Sequence, residues 1–246
     1  PPAPTFEPPS PLPRRYASLD HLTEGRVGFN VVTSYLPSAA ENQGLPTQIP
    51  HDERYEIADE YLDVCYKLWE GSWEDGAVVK DRERGIYADP SKVHPIGHKG
   101  KYFSVPGISL TEPSPQRTPV IFQAGASSRG QKFSGKHAEA VFISALRPDL
   151  TRVVTDRIRA SAEEQGRSRD DVKILAMLSV IVAETEEKAK AKYEEYKKYI
   201  NLESAQGIIG GRSGVDAPHF EQDTEVSYVT TQANHALLTP LPLPGK

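Results

Sequence analysis

Short apolar runs that alternate with helical patterns are the feature that most constrains the fold of this chain. Residues 27–33, 120–124, 140–143 and 172–182 are rich in β-branched and apolar side chains, and helical patterns separate them. Such alternation predicts an α/β fold with parallel strands, of the (β/α)₈ TIM-barrel type. A closed barrel needs eight strands and about 250 residues. Four clear strands in 246 residues therefore predict a single, partial barrel domain over residues 1–246.

The strongest helical pattern covers residues 52–70 and ends at Gly71. Its apolar positions form one stripe along the helix: Ile57, Tyr61, Val64, Cys65 and Leu68. Further helices are expected at 14–22, from the end of the turn 125–130 through His137, at 150–165 and at 184–200.

Glycine and proline mark the parts of the chain where regular structure is not expected. Residues 1–13 contain seven prolines and should be extended or irregular, as should the Pro-rich end at 240–246. Residues 34–50 are predicted to be a loop. The segment 71–118 is polar, with short strands expected at 77–79 and 102–105, and its length is typical of a functional insertion or lid.

Composition excludes several classes of protein. A net charge of −5 argues against binding to a nucleic-acid backbone, and no apolar run approaches the length of a membrane span. Cys65 is the only cysteine, so an intrachain disulfide is excluded; a buried core thiol in a cytoplasmic protein is expected. Met177 is the only methionine, which suggests that the sequence does not begin at a translation start.

Two polar clusters are candidate parts of a ligand site. The first apolar strand ends in Asn30, Thr33 and Ser34, and polar residues at the end of a buried strand need partners. His51 and Tyr55 lie four residues apart at the start of the next long helix, so they share one helix face. A strand end and a helix start that both present polar groups are typical of a pocket in a barrel-type protein.

A third candidate is the turn Gly125-Ala126-Ser127-Ser128 between a strand and a helix. Backbone N–H groups at a helix start favour an anion, and Ser127 and Ser128 add hydroxyl groups. An ordinary helix cap by either serine explains the pattern equally well. His94 and His98 lie in a loop rich in proline and glycine, without a set of acidic ligands, so no metal site is expected.

The chain resembles the bacterial luciferase-like flavin monooxygenases, and within them the branch that oxidises nitrilotriacetate, dibenzothiophene sulfone and long-chain alkanes. The matching stretches are Leu19-Asp20-His21-Leu22-Thr23, residues 25–36, residues 51–60, Tyr66-Lys67-Leu68-Trp69-Glu70, Tyr87-Ala88-Asp89-Pro90, Val93-His94 and Phe122-Gln123-Ala124-Gly125-Ala126-Ser127. A weaker match continues through Gly214-Val215-Asp216 and Tyr228-Val229.

This resemblance implies a TIM barrel that binds FMN at the carboxyl ends of its strands. It implies a two-component system in which a separate flavin reductase supplies reduced FMN. The flavin reacts with O₂ to form a C4a-peroxyflavin, which oxygenates a small organic substrate. A homo-oligomer is compatible with this family.

The resemblance also implies roles for individual residues. His51 and Tyr55 would contact the flavin's ribityl phosphate or ring edge, and Ser127 and Ser128 would bind the phosphate. Asn30 would lie near the isoalloxazine, with Thr33 at the same strand end. Thr5 resembles a threonine that follows a family strand and contacts FMN. No catalytic residue is assigned.

The resemblance leaves other functions open, because the family's first three strands and its barrel-closing residues are not in this sequence. The chain could be a non-catalytic remnant that associates with another chain. It could also be a deazaflavin-dependent hydride-transfer enzyme of the same superfamily. A metal-dependent barrel hydrolase is a more distant alternative.

Overall fold

The computed structural model of the chain describes residues 2–125, 127–144 and 148–213. In chain order, its helices and strands are α1 (Pro11–Thr23), β1 (Gly28–Asn30), α2 (Pro37–Glu41), α3 (His51–Tyr66), β2 (Val78–Asp81), β3 (Ile86–Ala88), β4 (His98–Lys99), β5 (Ser104–Val105), β6 (Val120–Gln123), α4 (Ser128–His137), β7 (Ala140–Ser144), α5 (Pro148–Glu164), β8 (Lys173–Met177), α6 (Glu186–Lys197) and α7 (Leu202–Ser213).

The four strands predicted from the apolar runs form one parallel sheet in the order β1-β6-β7-β8. Helices separate successive strands of this sheet, as in a (β/α)₈ barrel. The α/β, barrel-type fold expected from the sequence is therefore confirmed for the described part of the chain.

The two faces of the sheet differ in burial. Phe29 pairs in register with Ile121, and both pack under helices α1, α3 and α4 in the larger of two apolar clusters. The opposite face carries the stacked rings of Phe122 and Phe142, whose centroids are 5.5 Å apart. Phe142 is 42% exposed and Met177 is 68% exposed, so this second face is open among the described residues.

Helix α3 is the central element of the larger cluster. Its stripe of apolar residues is buried as predicted, and Cys65 is a fully buried thiol. The helix continues as a π-helical turn (Lys67–Gly71), so the predicted end at Gly71 is confirmed. There the indole N–H of Trp69 donates to the carbonyl oxygen of Pro13, 3.2 Å away, which ties the turn to α1.

The segment 71–118 contains two antiparallel hairpins, β2–β3 and β4–β5, and a short 3₁₀ turn (Pro90–Lys92). The strands expected near 77–79 and 102–105 are present. Two side chains hold the segment, one from within it and one from α3. The buried indole of Trp73 donates to the carbonyl oxygen of Ser109 at 3.0 Å, and Glu60 accepts backbone hydrogen bonds at the β4–β5 turn.

Three expectations about local structure are wrong. Helix α1 begins at Pro11, inside the stretch expected to be irregular, because proline in the first helical turn loses no hydrogen bond. The expected loop 34–50 contains α2, which also begins at a proline. The last strand ends at Met177, and residues 178–183 are not strand because they are largely exposed and lack a pairing partner among the described residues. In addition, helix α7 lies in a stretch for which the sequence predicted no element.

Some expectations concern residues that lie outside the described part of the chain. These are the Pro-rich end at 240–246 and the weak family matches at 214–216 and 228–229. In the part of the chain that the structure describes, no helix has the length and apolar character needed to cross a membrane.

Candidate functional site

The start of α4 forms the centre of the candidate site. Ser127 is the N-cap of the helix, and its hydroxyl oxygen accepts a hydrogen bond from the backbone N–H of Gly130 at 3.0 Å. Ser128 is the first helical residue and is exposed. The expectation that a serine caps this helix is therefore confirmed, and anion binding at the same turn stays a prediction.

Tyr55 brings the helix α3 to this turn. Its side chain is only 5% exposed, and its hydroxyl lies against the turn, within 3 Å of the positions that Cβ atoms on Gly125 and Gly130 would take. Burial raises the pKa of the Tyr55 phenol, and the nearby polar side chains of Ser127, Thr33 and Gln123 oppose that rise only in part. The phenol is therefore neutral at ordinary pH and retains a hydrogen that it can donate.

Gln123 is a site residue that the sequence analysis did not single out. It is the last residue of β6 and is 4% exposed. Its Oε1 atom accepts the backbone N–H of Gly125 at 2.5 Å and the hydroxyl of Ser134 at 2.6 Å. A glutamine at the end of an otherwise apolar strand, directly before a glycine turn, was the available signal.

Two glycines allow the Tyr55 hydroxyl to approach this turn. A Cβ atom on Gly125 would lie 2.5 Å from Gln123 Nε2 and 2.6 Å from the Tyr55 hydroxyl oxygen. A Cβ atom on Gly130 would lie 2.8 Å from the same hydroxyl oxygen. Side chains at these positions would displace Tyr55, so glycine here serves a close approach rather than a special backbone conformation.

The predicted residues of the β1 end also lie here. Thr33 contacts Tyr55, and Thr5 donates from its hydroxyl to the carbonyl oxygen of Thr33 at 3.3 Å. Thr5 lies in a turn, within the stretch expected to be irregular, and no strand precedes it among the described residues. Asn30 is at the end of β1, and its Oδ1 atom is buried without a hydrogen-bond partner among the described residues.

His51 and Tyr55 share one face of α3, as the four-residue spacing predicts. Their ring centroids are 5.3 Å apart, and the planes meet at 63°. The Nδ1–H of His51 donates to the carboxylate of Asp52 at 2.6 Å, which fixes the imidazole beside the phenol. The guanidinium of Arg129 lies 5.5 Å from the centre of the Tyr55 ring.

An ion-pair cluster fastens α3 to α4 next to this site. Asp59 accepts hydrogen bonds from Arg129 at 2.5 Å and from His137 Nε2 at 2.8 Å, while the Tyr66 hydroxyl lies 3.2 Å from His137 Nδ1. Burial alone would raise the pKa of Asp59, but the hydrogen bonds from His137 and Arg129 outweigh it and lower the pKa to about 2. Burial lowers the pKa of His137, so its neutral form bridges the two partners.

The two loop histidines take part in local contacts. His94 Nε2 lies 2.6 Å from Glu74, and buried His98 lies between Glu60, 3.2 Å from Nε2, and Lys67, 3.0 Å from Nδ1. Across residues 2–125, 127–144 and 148–213, no group of three or more histidine, cysteine, aspartate or glutamate side chains is arranged to hold a metal ion.

The parallel sheet and the polar cluster at the carboxyl ends of β1 and β6 define a barrel-type α/β protein. The turn before α4 has the backbone N–H groups that favour an anion. The luciferase-like monooxygenase family matches residues 3–236, so the chain belongs to that family. The resemblance noted from the sequence motifs is thereby confirmed.

Three curated relatives show how similar the chain is to known enzymes. It is 55% identical over 219 residues to dimethyl-sulfide monooxygenase of Hyphomicrobium sulfonivorans, covering 89% of this chain and 46% of that protein. It is 50% identical to long-chain alkane monooxygenase of Geobacillus thermodenitrificans, covering 92% of this chain and 51% of that protein. Nitrilotriacetate monooxygenase component A of Aminobacter aminovorans is 40% identical, with 89% and 48% covered.

Two solved structures share the fold. The crystal structure of a long-chain alkane monooxygenase superposes with a TM-score of 0.88 at 50% identity, covering 93% of this chain and 52% of that one. A riboflavin lyase crystallised with modified FMN and riboflavin gives a TM-score of 0.91 at 39% identity, with 96% and 53% covered. The chain thus spans about half the length of the relatives it matches.

Proposed function

We propose that this chain provides the phosphate-binding part of an FMN site in a two-component monooxygenase. The single observation that carries the proposal is the approach of the Tyr55 hydroxyl to the N-terminus of α4, where Ser127 caps the helix. A phosphate monoester is a compact anion with several acceptor oxygens, so it suits a site made of hydroxyl and backbone donors.

The residues of this chain fit such a group. Gly125 and Gly130 bring the Tyr55 hydroxyl against the turn, and Ser127 caps the helix with its oxygen while its hydrogen can point outward. Exposed Ser128 would add a donor at the first helical position, and buried His51 would contact the ribityl chain or the ring edge. Thr5 supports this arrangement through its hydrogen bond to the Thr33 backbone.

Asn30 would face the ring system rather than the phosphate. Its buried Oδ1 atom lacks a partner among the described residues, and a buried acceptor of this kind gains free energy when a ligand N–H reaches it. An isoalloxazine carries such an N–H group. Asn30 and Thr33 lie three residues apart at the carboxyl end of β1. This strand end would therefore face both the ring system and the phosphate of the cofactor.

When bound and reduced, FMN would supply the electrons that activate O₂ for transfer of one oxygen atom to a small organic substrate. The protein's part is to position the cofactor and exclude water. The name of the relative from Aminobacter aminovorans, a "component A", supports a separate flavin reductase as partner. We further propose that segment 71–118 selects the substrate, that the protein is cytoplasmic, and that it forms homo-oligomers.

Titration of the chain with FMN, followed by quenching of flavin fluorescence, tests the proposal. Ser127→Ala should weaken FMN binding about tenfold, because one hydrogen bond to a charged group is removed. Thr185→Ala is the matched control: it removes an N-cap hydroxyl from α6 and should change only stability, by about 1 kcal/mol. Absence of saturable FMN binding, or equal FMN affinity in both variants, would refute the assignment. Preference for a deazaflavin would favour the hydride-transfer alternative.

A further inference from the structure

Helices α3 and α4 meet along two rows of side chains. Each row has three members spaced four residues apart, so each row lies along one face of its helix. The row on α3 and the row on α4 are, in turn, His51, Tyr55 and Asp59, and Arg129, Phe133 and His137. The contacts between these rows hold the two helices together beside the candidate site.

The ring of Tyr55 is enclosed by members of both rows. Its centroid lies 5.3 Å from that of His51 and 5.5 Å from that of Phe133. The guanidinium carbon of Arg129 lies over the same ring, 5.5 Å from its centroid, which is within the range of a cation–π contact. His51 and Phe133 are buried, whereas the Arg129 side chain is 22% exposed. Arg129 is therefore the neighbour of the ring with the most access to solvent.

Asp59 anchors the guanidinium of Arg129. Arg129 is the second residue of α4, where the helix dipole disfavours a positive charge. Its Nη2 atom donates to Asp59 Oδ2 at 2.5 Å, while Oδ1 of the same carboxylate lies 2.8 Å from His137 Nε2 and 3.4 Å from Lys136 Nζ. Both carboxylate oxygens are thus engaged. Because Asp59 lies one turn beyond Tyr55 on α3, this bond holds the guanidinium against the ring.

The position of the ring decides where its hydroxyl lies. The hydroxyl oxygen is 2.6 Å and 2.8 Å from the places that Cβ atoms on Gly125 and Gly130 would take, so it reaches the start of α4 only because both residues are glycine. The hydroxyl is at the end of the ring farthest from the helix backbone, and a tilt of the ring moves it most. Removal of Arg129 would open one side of the ring and permit such a tilt.

We propose that Arg129 is a positioning residue: fixed by Asp59, its guanidinium holds the Tyr55 ring so that the hydroxyl stays at the start of α4, facing a phosphate monoester. The inference rests on the proposed FMN site. It states that this arginine raises phosphate affinity by holding Tyr55, although a cation beside an anion site could also pair with the phosphate directly.

The selectivity between FMN and riboflavin measures the phosphate contribution, because the two flavins differ only in the phosphate. Dissociation constants of both are measured on the full 246-residue chain by quenching of flavin fluorescence. Arg129→Met keeps an unbranched side chain but removes the charge and the hydrogen bond to Asp59. It should lower the ratio of the riboflavin to the FMN dissociation constant about tenfold, with little change in riboflavin affinity.

Asp59→Ala separates positioning from direct pairing, because the two roles predict changes of opposite sign. This variant keeps the positive charge of Arg129 and removes a nearby negative charge. Direct pairing with the phosphate would become stronger, and the ratio would rise. Positioning requires the anchor, so the ratio should fall, again about tenfold. The double variant should show no further loss, because both changes release the same ring.

Arg117→Met is the matched control for the arginine. The Arg117 side chain is 21% exposed, and it donates to Asp75 at 2.6 Å and to the carbonyl oxygen of Trp73 at 2.8 Å, within segment 71–118. Tyr66→Phe is the control for the helix contact, since it removes the hydroxyl 3.2 Å from His137 Nδ1 and leaves the anchor of Arg129 in place. Both controls should lower the melting temperature and leave the flavin ratio unchanged.

The outcomes decide between the roles. If Asp59→Ala does not fold, Asp59→Asn replaces it, because a neutral amide is a weaker anchor and the predicted sign is the same. An unchanged ratio in Arg129→Met, a raised ratio in the Asp59 variant, or an equal fall in Tyr66→Phe overturns the inference while leaving the phosphate site intact. If the unaltered chain binds FMN no better than riboflavin, or binds neither, the proposed phosphate site itself fails and the inference fails with it.

Discussion

Replacement of Gly125 by alanine is the sharpest steric test of the site. The added methyl carbon would lie 2.5 Å from Gln123 Nε2 and 2.6 Å from the Tyr55 hydroxyl oxygen, both well inside van der Waals contact. Neither neighbour can withdraw easily, because Tyr55 and Gln123 are 5% and 4% exposed. Overpacking of a buried site costs about 1–3 kcal/mol.

The expected result has two parts. For a chain of this size, that loss corresponds to a fall in melting temperature of about 3–10 °C. Displacement of Tyr55 should also weaken FMN binding by about tenfold or more, since the hydroxyl would leave the turn. Thermal unfolding followed by circular dichroism and the FMN titration measure the two effects on the same samples.

Gly107→Ala is the control for Gly125→Ala. No atom lies within 4 Å of the position that its Cβ would take, and its φ is not in the left-handed region. Its stability should change by less than about 0.5 kcal/mol. Equal melting temperatures and equal FMN affinities for the two alanine variants would show that the approach of Tyr55 to the turn has been misjudged.

Two further predictions concern the surroundings of the site. Acid should lower the free energy of unfolding in two steps. The pKa of His137 is lowered, so its contribution to stability is complete above pH 6.5 and declines below that pH. Asp59 contributes about 2 kcal/mol, which is lost as the pH falls from 3.8 to 2. Urea unfolding from pH 7 to 2 measures this, and a flat profile, or one unchanged by His137→Asn, would contradict it. Glu60→Ala should speed amide hydrogen exchange at Tyr102 and Phe103, because both amides lose their acceptor at a cost of about 1–3 kcal/mol. The exchange rate at Ile121 should not change, and unchanged rates at Tyr102 and Phe103 would contradict the role of Glu60.

The sequence predicted the elements whose pattern is local. Apolar runs located all four strands of the parallel sheet, and the stripe from Ile57 to Leu68 located α3. The predicted ends of helices and strands were wrong where the composition of a stretch was a poor guide to its backbone conformation. Pro11 begins a helix in a stretch that composition marked as irregular, and the apolar character of residues 178–182 suggested a longer strand than the pairing of β8 supports.

The candidate site was predicted less completely than the fold. Spacing alone placed His51 beside Tyr55, and the position of Ser127 after a strand predicted its cap. The meeting of Thr33 with Tyr55 depends on tertiary packing, which no local pattern reports. Gln123 was missed because a polar residue that ends an apolar strand has no periodicity, and its importance depends on partners 2 and 11 residues away.

The clamp between α3 and the β4–β5 hairpin has a consequence for how such proteins diversify. Glu60 holds the hairpin through the backbone N–H groups of Tyr102 and Phe103, at 2.9 and 2.7 Å, which every residue except proline can offer. Tyr55 lies five positions earlier on the same helix. Recombination could therefore exchange one hairpin for another and leave the far end of α3 undisturbed, as long as the new hairpin presents two amides to the same carboxylate and replaces the contacts of His98 with Glu60 and Lys67.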